Sequence, residues 1–528
     1  MLDTLIKNAQ IIDGSGQPRY AGSVGILDGK IRLCAADTPA REVIDARGRI
    51  VCPGFIDAHS HGDRPLGTVN TQTFKTGQGI TTELTGHCGV SVAPVSEKNL
   101  ASKLHLRGIG YTEEEIRSWH TYANYLDSVS RRNKTTNVKF LVGHNVLRSA
   151  VMGTANRNAT RDELDSMCSI LREAMQSGAS GLSTGLVYVP GVYADTSEVV
   201  ALAKVAAEYG GLYTSHIRNE SHAVVSAVAE AIDIGRQSGA RVCISHHKVM
   251  GVANRGKHRE TLAMIDKANH DGVYVTCDQY PYTRNATGLD VCMPPEYFSD
   301  GKSALSARLS DRALREEIKA KMNDPDVKYE NFYLSAGGWD GVYITDLPVT
   351  KQAQGKTMTE YARELGMDVF DAYFDLMIKN NCSGNGVFDT MSEESLCDII
   401  SSPYCVVGTD DIPRRLDEIG HPRVCSSFPR AIDLYVNKHR LFTLEGMIHK
   451  MTGLPAERLL IRNKGLIRDG YDADLLLLDM ENFRDNAPFD QPNLRADGID
   501  LIFVNGKIVY RDKQLTGIYS GEIIYHKA

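Results

Sequence analysis

Seven segments of the chain share one design, a short apolar run that stops at a metal-ligand type or another polar side chain. GFIDAHSH (54–61) ends in His59 and His61, TTELTGHC (81–88) in Cys88, and VKFLVGHN (138–145) carries His144. GLYTSHI (211–217) carries His216, VCISHHK (242–248) carries His246, VYVTCDQYPY (273–282) closes in tyrosines, and CVVGTDD (405–411) closes at Asp410. Apolar runs that stop at reactive groups suit parallel strands, buried until they reach a ligand-facing rim. GASGLSTGL (178–186), which reaches Thr184 without a ligand, brings the count to eight. The pattern predicts a (β/α)8 barrel of the TIM type with a metal at its C-terminal mouth.

Between these runs the periodicity turns helical. Thr160 and Glu163 match a capping box, with Leu164, Met167, Cys168, Leu171 and Met175 following at helical spacing and Gly178 as a stop. Asp195 and Glu198 repeat the cap signature, and segments 223–239 and 260–272 continue the alternation. A doubly wound sheet would alternate likewise, but no GxGxxG opens a helix after a strand. Groups spread over every strand converge only if the sheet closes.

At 528 residues the chain is long enough for two or three domains. Residues 1–53 and 465–528 read as short alternating strands separated by Gly and Asp turns, predicting one small β-sandwich built from both termini. The barrel would span 54–464. Residues 283–401, between strands seven and eight, are too long for a structureless loop and read as an inserted subdomain. Two helix-like stretches, 313–324 and 358–380, lie within it.

A balance of 59 basic and 66 acidic residues, net −7, offers no field for nucleic acid or anionic lipid. The start lacks a basic region followed by a long apolar run, and LLLL at 475–478 is bounded by Asp474 and Asp479, so neither a secretory signal nor a membrane span is expected. Eleven cysteines, an odd number with no CxxC pair, suit a reducing cytoplasm. A homo-oligomer is compatible with everything in the sequence.

His59 and His61 lie two apart, so on a strand both project to one face. Alone, such a pair also reads as a polar strand end. Its weight comes from Cys88, His216, His246 and Asp410 standing at the ends of other predicted strands. Thiolate with imidazole favours zinc, which lowers the pKa of water to about 7. All six residues are therefore expected to be ligands. Cys88 read alone would be a buried apolar cysteine, but Gly86 and Gly89 let the backbone approach a ligand closely. His144, His222 and His247 are expected outside the ligand set. Asp410 can also accept a nucleophile's proton and pass it to a leaving nitrogen, with Asp411 as the second choice.

At these residues the chain resembles the amidohydrolase superfamily, and within it the D-aminoacylases. PGFIDAHSHGD (53–63) and GLIRDGYDADLLLLD (465–479) resemble the superfamily's entrance to the barrel and its return to the small β-domain. GHCGVSVAP (86–94), LVGHNVLR (141–148), STGLVYVPGVYADTSEV (183–199), GLYTSHIRNE (211–220), ISHHK (244–248), DQYPYT (278–283) and HPRVCSSFPR (421–430) resemble the narrower family. The resemblance implies one tight zinc on Cys88, His216 and His246. It also implies a second, weaker position bordered by His59, His61 and Asp410, with Cys88 as bridge. It implies that Tyr188, Lys248 and Tyr282 face an N-acyl-D-amino acid, with Arg423 and Arg430 as further carboxylate contacts. His87 stands where the family usually has Asn, and Asp411 where it usually has Gly.

Two alternatives stay open: a cyclic-amide hydrolase of the hydantoinase or dihydroorotase type, and an inactive scaffold of the same fold. The first usually needs a lysine on strand four, absent from GLSTGL. The second usually loses ligands, and all six are present.

Overall fold

Each apolar run is a strand in the computed structural model, which describes residues 1–64, 66, 68–412, 414 and 418–527, with the backbone alone at 69–71. In chain order they are β1 (Phe55–Ser60), β2 (Ile80–Thr85), β3 (in two pieces, Asn137–Phe140 and Val142–Gly143), β4 (Gly181–Gly185), β5 (Leu212–His216), β6 (Arg241–Ile244), β7 (Val275–Gln279) and β8 (Cys405–Val407). All pair in parallel, each with its sequence neighbour. β1, β2 and β5 are buried at every residue, as strands covered on both faces must be.

The ladder divides into a three-stranded sheet, β1 to the first half of β3, and a six-stranded sheet, the second half of β3 to β8. Single backbone bonds span the break: Leu141 donates to Thr85 at 2.8 Å and Ser180 to Phe140 at 2.7 Å. At the other edge Asp410 N–H reaches the His59 carbonyl at 2.8 Å, and Ser60 bridges Asp411 in parallel. These bonds set the end of β8 directly against the end of β1.

The expected capping box is present. Thr160 Oγ1 accepts the Glu163 amide at 3.3 Å, and the Glu163 carboxylate accepts the Thr160 amide at 2.8 Å, starting the helix Arg161–Gln176. Asp195 caps Thr196–Glu208 by accepting the Glu198 amide, but the Glu198 side chain turns inward to His144 and Arg148 instead of completing a box. Val224–Ser238 and Lys257–His270 supply the next two helices.

Strands from both termini form one nine-stranded sheet. The join is Leu475–Leu478, antiparallel to Ile50–Pro53, with Leu477 opposite Val51. The apolar tetrad is thus a buried central strand, and no described helix is long and apolar enough to cross a membrane.

Between β7 and β8 the chain builds a three-stranded antiparallel sheet, Arg284–Gly288, Val342–Asp346 and Asn385–Asp389, the last in the middle. It has its own apolar cluster, which includes Trp339, Phe370, Tyr373 and Phe388. The first predicted stretch is the helix Arg312–Met322. The second is two helices, Met358–Leu365 and Val369–Lys379, because Gly366 takes φ 64° and Asp368 caps a new start.

The close approach of β4 and β5 sets a steric limit. Gly181 holds φ 149°, and a Cβ there would lie 2.0 Å from the Leu212 carbonyl oxygen. Gly272 also has positive φ, 84°, but faces open space. Gly181→Ala is therefore expected to cost more than about 3 kcal/mol and Gly272→Ala about 1 kcal/mol. Thermal melting of the two variants should rank them in that order, and equal losses would refute the clash.

Candidate metal centre

The strand ends bring all six expected ligands together in two groups that share one atom. His59, His61, Cys88 and Asp410 offer ligand atoms within 4.8 Å of one another, as do Cys88, His216 and His246. Cys88 Sγ stands 3.4 Å from His59 Nε2 and 3.3 Å from His246 Nε2. Asp410 Oδ1 is 3.4 Å from His59 Nε2 and 3.3 Å from His61 Nε2.

The outer nitrogen of His59 is held by a carboxylate, leaving the inner one for a metal, and the outer nitrogen of His246 lies between a carboxylate and the Lys248 ammonium. His59 Nδ1 lies 3.0 Å from Asp278, and His246 Nδ1 lies 3.1 Å from Glu220. Neither carboxylate stood out in the sequence. Asp278 sits on β7 one residue before its end, hidden there by the tyrosines, and Glu220 follows His216 by four.

Electrostatics and unmet bonding both fit a cation here. Burial pulls His59 down to about 3 and holds His216 and His246 well below the usual imidazole range, so all three stay neutral, the form that coordinates. Burial pushes the Cys88 thiol up, so a thiolate at this spot calls for a positive neighbour. Among the described residues, both nitrogens of His216 and Nδ1 of His61 are buried without a hydrogen-bond partner. Burial also acts to raise Asp410, but Arg423, whose Nη1 is 2.7 Å from Oδ2, and the nearby imidazoles hold it well below the carboxylate range.

The backbone is strained where it presents these groups. Cys88, His246 and Asp410 hold φ of 54°, 36° and 49°, a region that costs a non-glycine residue about 1–3 kcal/mol. Gly89 makes the turn after Cys88 possible, since a Cβ there would meet Asn145 Oδ1 at 2.4 Å and the Gly185 amide at 2.8 Å.

A cavity of about 1580 Å³ opens over the ligands, its wall including Tyr188, Lys248, Tyr280 and Arg423. Tyr188 donates to or accepts from Thr287 at 3.1 Å. The Lys248 ammonium lies 2.7 Å from Glu220 and 2.6 Å from His246 Nδ1. Tyr282 and Arg430 stand outside this wall. Tyr282 packs edge-on to His421 and Phe489, while Arg430 binds the Pro281 carbonyl at 2.8 Å and Asp485 at 3.2 Å. Tyr280, unmarked in the sequence, lines the cavity beneath Arg423, whose guanidinium lies 5.0 Å from its ring centre.

His144 binds Glu198 at 2.7 Å, His247 binds Thr261 at 2.9 Å and His222 contacts Ser221, so none of the three joins either donor group. His87 stacks on His59 with ring centres 3.9 Å apart and both nitrogens unpartnered. Asp411 points away from the ligands and pairs with Lys75 at 2.6 Å.

A shared thiolate flanked by imidazoles and one carboxylate under a large cavity is a site built for divalent-metal hydrolytic chemistry. The amidohydrolase family model matches residues 42–243 and 399–510. The chain is 32% identical to the D-aminoacylase of Alcaligenes xylosoxydans xylosoxydans, over 100% of this chain and 98% of that protein. It is 34% identical to the N-acyl-D-aspartate deacylase of the same organism, over 98% and 93%. A solved N-acyl-D-glutamate deacylase from Bordetella bronchiseptica, complexed with zinc and a phosphonate that mimics the reaction's tetrahedral intermediate, is 33% identical. It superposes with a TM-score of 0.84 over 100% of both chains. The chain belongs to the amidohydrolase family, within its D-aminoacylase branch.

Because Cys88 serves both donor groups, Cys88→Ala should remove zinc from each. Metal analysis after exhaustive dialysis checks this: a variant that keeps the parent's zinc would show that the imidazoles suffice.

Proposed function

We propose that this protein hydrolyses the amide bond of N-acyl-D-amino acids, releasing a carboxylic acid and a free D-amino acid. The observation that carries the reading is the pair of donor groups joined at Cys88 beneath one cavity, in a chain that matches such deacylases from end to end. The preference for the D configuration rests on those relatives. We read the eight parallel strands as a closed (β/α)8 barrel spanning 54–464. The nine-stranded sheet is read as a two-layer β-domain from residues 1–53 and 465–528, and 283–401 as the insert. The single bonds between the ends of β8 and β1 support closure. Eleven unpaired cysteines support a cytoplasmic location.

Cys88, His216 and His246 would hold one tight zinc, and His59, His61 and Asp410 would border a second, weaker position that shares the thiolate. Zinc bound there supplies Lewis acidity toward the acyl carbonyl and acidifies a water. The chain's own residues do the rest. Asp410, kept ionised by Arg423, takes the proton of the attacking water and returns it to the departing nitrogen. Lys248 and Arg423 hold the α-carboxylate, each giving up part of its present pairing with Glu220 or Asp410, and Tyr188 and Tyr280 wall the amide in. Tyr282 and Arg430 act behind that wall: Arg430 ties the Pro281 carbonyl and so fixes the turn that presents Tyr280.

The direct test is turnover of paired N-acetyl D- and L-amino acids, with zinc content measured on the same sample. Hydrolysis of the L series alone, or full activity in zinc-free protein, would overturn the reading.

Asp410→Asn is expected to keep the fold and the tight zinc but lose about 10²–10⁴-fold in kcat. Asp411→Asn is the comparison, expected to lower the melting temperature and to reduce kcat by much less than Asp410→Asn does, because Asp411 faces Lys75 and acts on the site only through the position of Asp410. Reversed effects would exchange the two roles.

Lys248→Met should lower kcat/KM for free N-acyl amino acids by about ten- to a hundredfold and erode the preference for the free acid over its neutral ester. If the preference survives, Arg423 alone carries the carboxylate.

A further inference from the structure

Four of the eight Lys and Arg side chains on the cavity wall are matched by a carboxylate, and two more, Lys98 and Lys328, are exposed to solvent. Lys248 pairs with Glu220, Arg423 with Asp410, Arg218 with Glu230 and Lys302 with Asp290. Lys103 is different. It is only 8% exposed, and among the described residues its ammonium has one hydrogen-bond partner, the Ser91 carbonyl at 2.8 Å, which leaves two of its three donors without a described acceptor. Arg64, on the same wall, makes no ion pair with any described residue. The nearest acidic side chain in sequence, Asp63, accepts the Thr85 hydroxyl at 2.9 Å; it is in ion-pair contact with neither cation, but its charge acts on Lys103 from farther away.

The position of these two cations is as telling as their lack of partners. Arg64 follows the ligand His61 by three residues on the turn after β1, and Lys103 ends the short helix Leu100–Lys103 in the segment that leaves β2 through Cys88 and Gly89. Both come from the segments after β1 and β2 and are near enough for the Arg64 charge to act on Lys103, whereas Lys248 follows β6. A buried ammonium facing a cavity without an anion is costly, and such a group is matched by what enters.

We propose that Lys103 and Arg64 form a subsite for a second carboxylate of the substrate, so that the preferred substrates are dicarboxylic. This rests on the deacylase reading above and narrows it. Identity to the relatives does not assign the side chain by itself, since it is 32% to D-aminoacylase, 34% to N-acyl-D-aspartate deacylase and 34% to N-acyl-D-glutamate deacylase. The electrostatics agree with the geometry: burial and the neighbouring Arg64 pull Lys103 down to about 7 in spite of the Asp63 charge, a pressure that an incoming carboxylate relieves. The second carboxylate has two chemical sources, the side chain of an acidic amino acid or a dicarboxylic acyl group.

Four substrates separate them: N-acetyl-D-glutamate, its neutral isostere N-acetyl-D-glutamine, N-succinyl-D-alanine and N-butyryl-D-alanine. The parent should favour the charged member of one pair by about ten- to a hundredfold in kcat/KM, chiefly through KM, and that pair identifies the source. Lys103→Met should collapse that ratio to within about threefold, and Lys103→Arg should restore most of it. A ratio near one in the parent, or a ratio unchanged in Lys103→Met, overturns the subsite. If no N-acyl amino acid is turned over, the deacylase reading fails instead. The subsite is then judged by titration calorimetry of zinc-loaded parent and Lys103→Met with N-acetyl-D-glutamate and N-acetyl-D-glutamine. Tighter binding of the diacid that is lost in the variant sustains it, and equal binding overturns it.

Discussion

The Cys88 sulfur is the atom on which the site depends. A buried thiol resists ionisation, and this one lies within 3.4 Å of imidazole nitrogens from both donor groups. Thiolate, imidazoles and metal therefore have to be assembled together, since each is unfavourable there without the others. That requirement explains the local backbone. Cys88 accepts a left-handed conformation and Gly89 gives up its side chain so that the sulfur can reach the midpoint between β1 and β6. His87, on the other side of the cysteine, covers the outer face of His59 and excludes water from it.

Behind the ligands lies a second buried charge cluster. Lys75 Nζ stands 2.6 Å from Asp57, 2.6 Å from Asp411 and 3.5 Å from Glu83, and all four side chains are about 1% exposed or less. Burial raises Asp57 and Glu83, while the carboxylates outweigh burial at Lys75 and raise it too. Such a cluster is a poor source of net stability, because desolvation offsets most of the attraction. Its value is positional. It ties β1, β2 and the segment after β8 to one ammonium at the edge where the strands share single bonds in place of a ladder. Asp410 is adjacent to Asp411, so the same anchor sets its carboxylate against His59 and His61.

Much of this was legible in the sequence because ligand type, strand-end position and apolar burial are local properties. All six ligand candidates converge, and the Thr160 box forms as its spacing predicts. What escaped depends on geometry beyond one element. Asp278 and Glu220 matter through partners on other strands. Tyr280 and Tyr282 have the same parity, but β7 ends at Gln279, and past that point alternation no longer reports which face a side chain takes. Arg430 lies seven residues after Arg423, two helical turns on, yet the helix Arg423–Ile432 is kinked at Ser426 (φ −143°, ψ 16°), so the two guanidinium groups part. The single helix expected over 358–380 failed at Gly366, where apolar periodicity continues through a left-handed residue.

The insert is more than a cover for the cavity, because its residues reach the partners of the ligands. The Glu220 amide donates to Glu330 of the insert, and Glu220 in turn touches Lys248 and His246. Burial and the Glu220 charge push Glu330 up to about 8, which disfavours a second negative charge beside that chain of contacts. Arg423 donates to the Ala286 carbonyl at 3.0 Å and Tyr188 meets Thr287, both on the insert's first strand. The surface that selects the substrate and the groups that orient the ligands are thus mechanically one body. A change of insert sequence that shifted Glu330 or Ala286 would move Glu220 or Arg423, and through them His246 or Asp410. Lys103 and Arg64 lie outside the insert, on the segments after β1 and β2, so a change of specificity made there does not pass through Glu330 or Ala286.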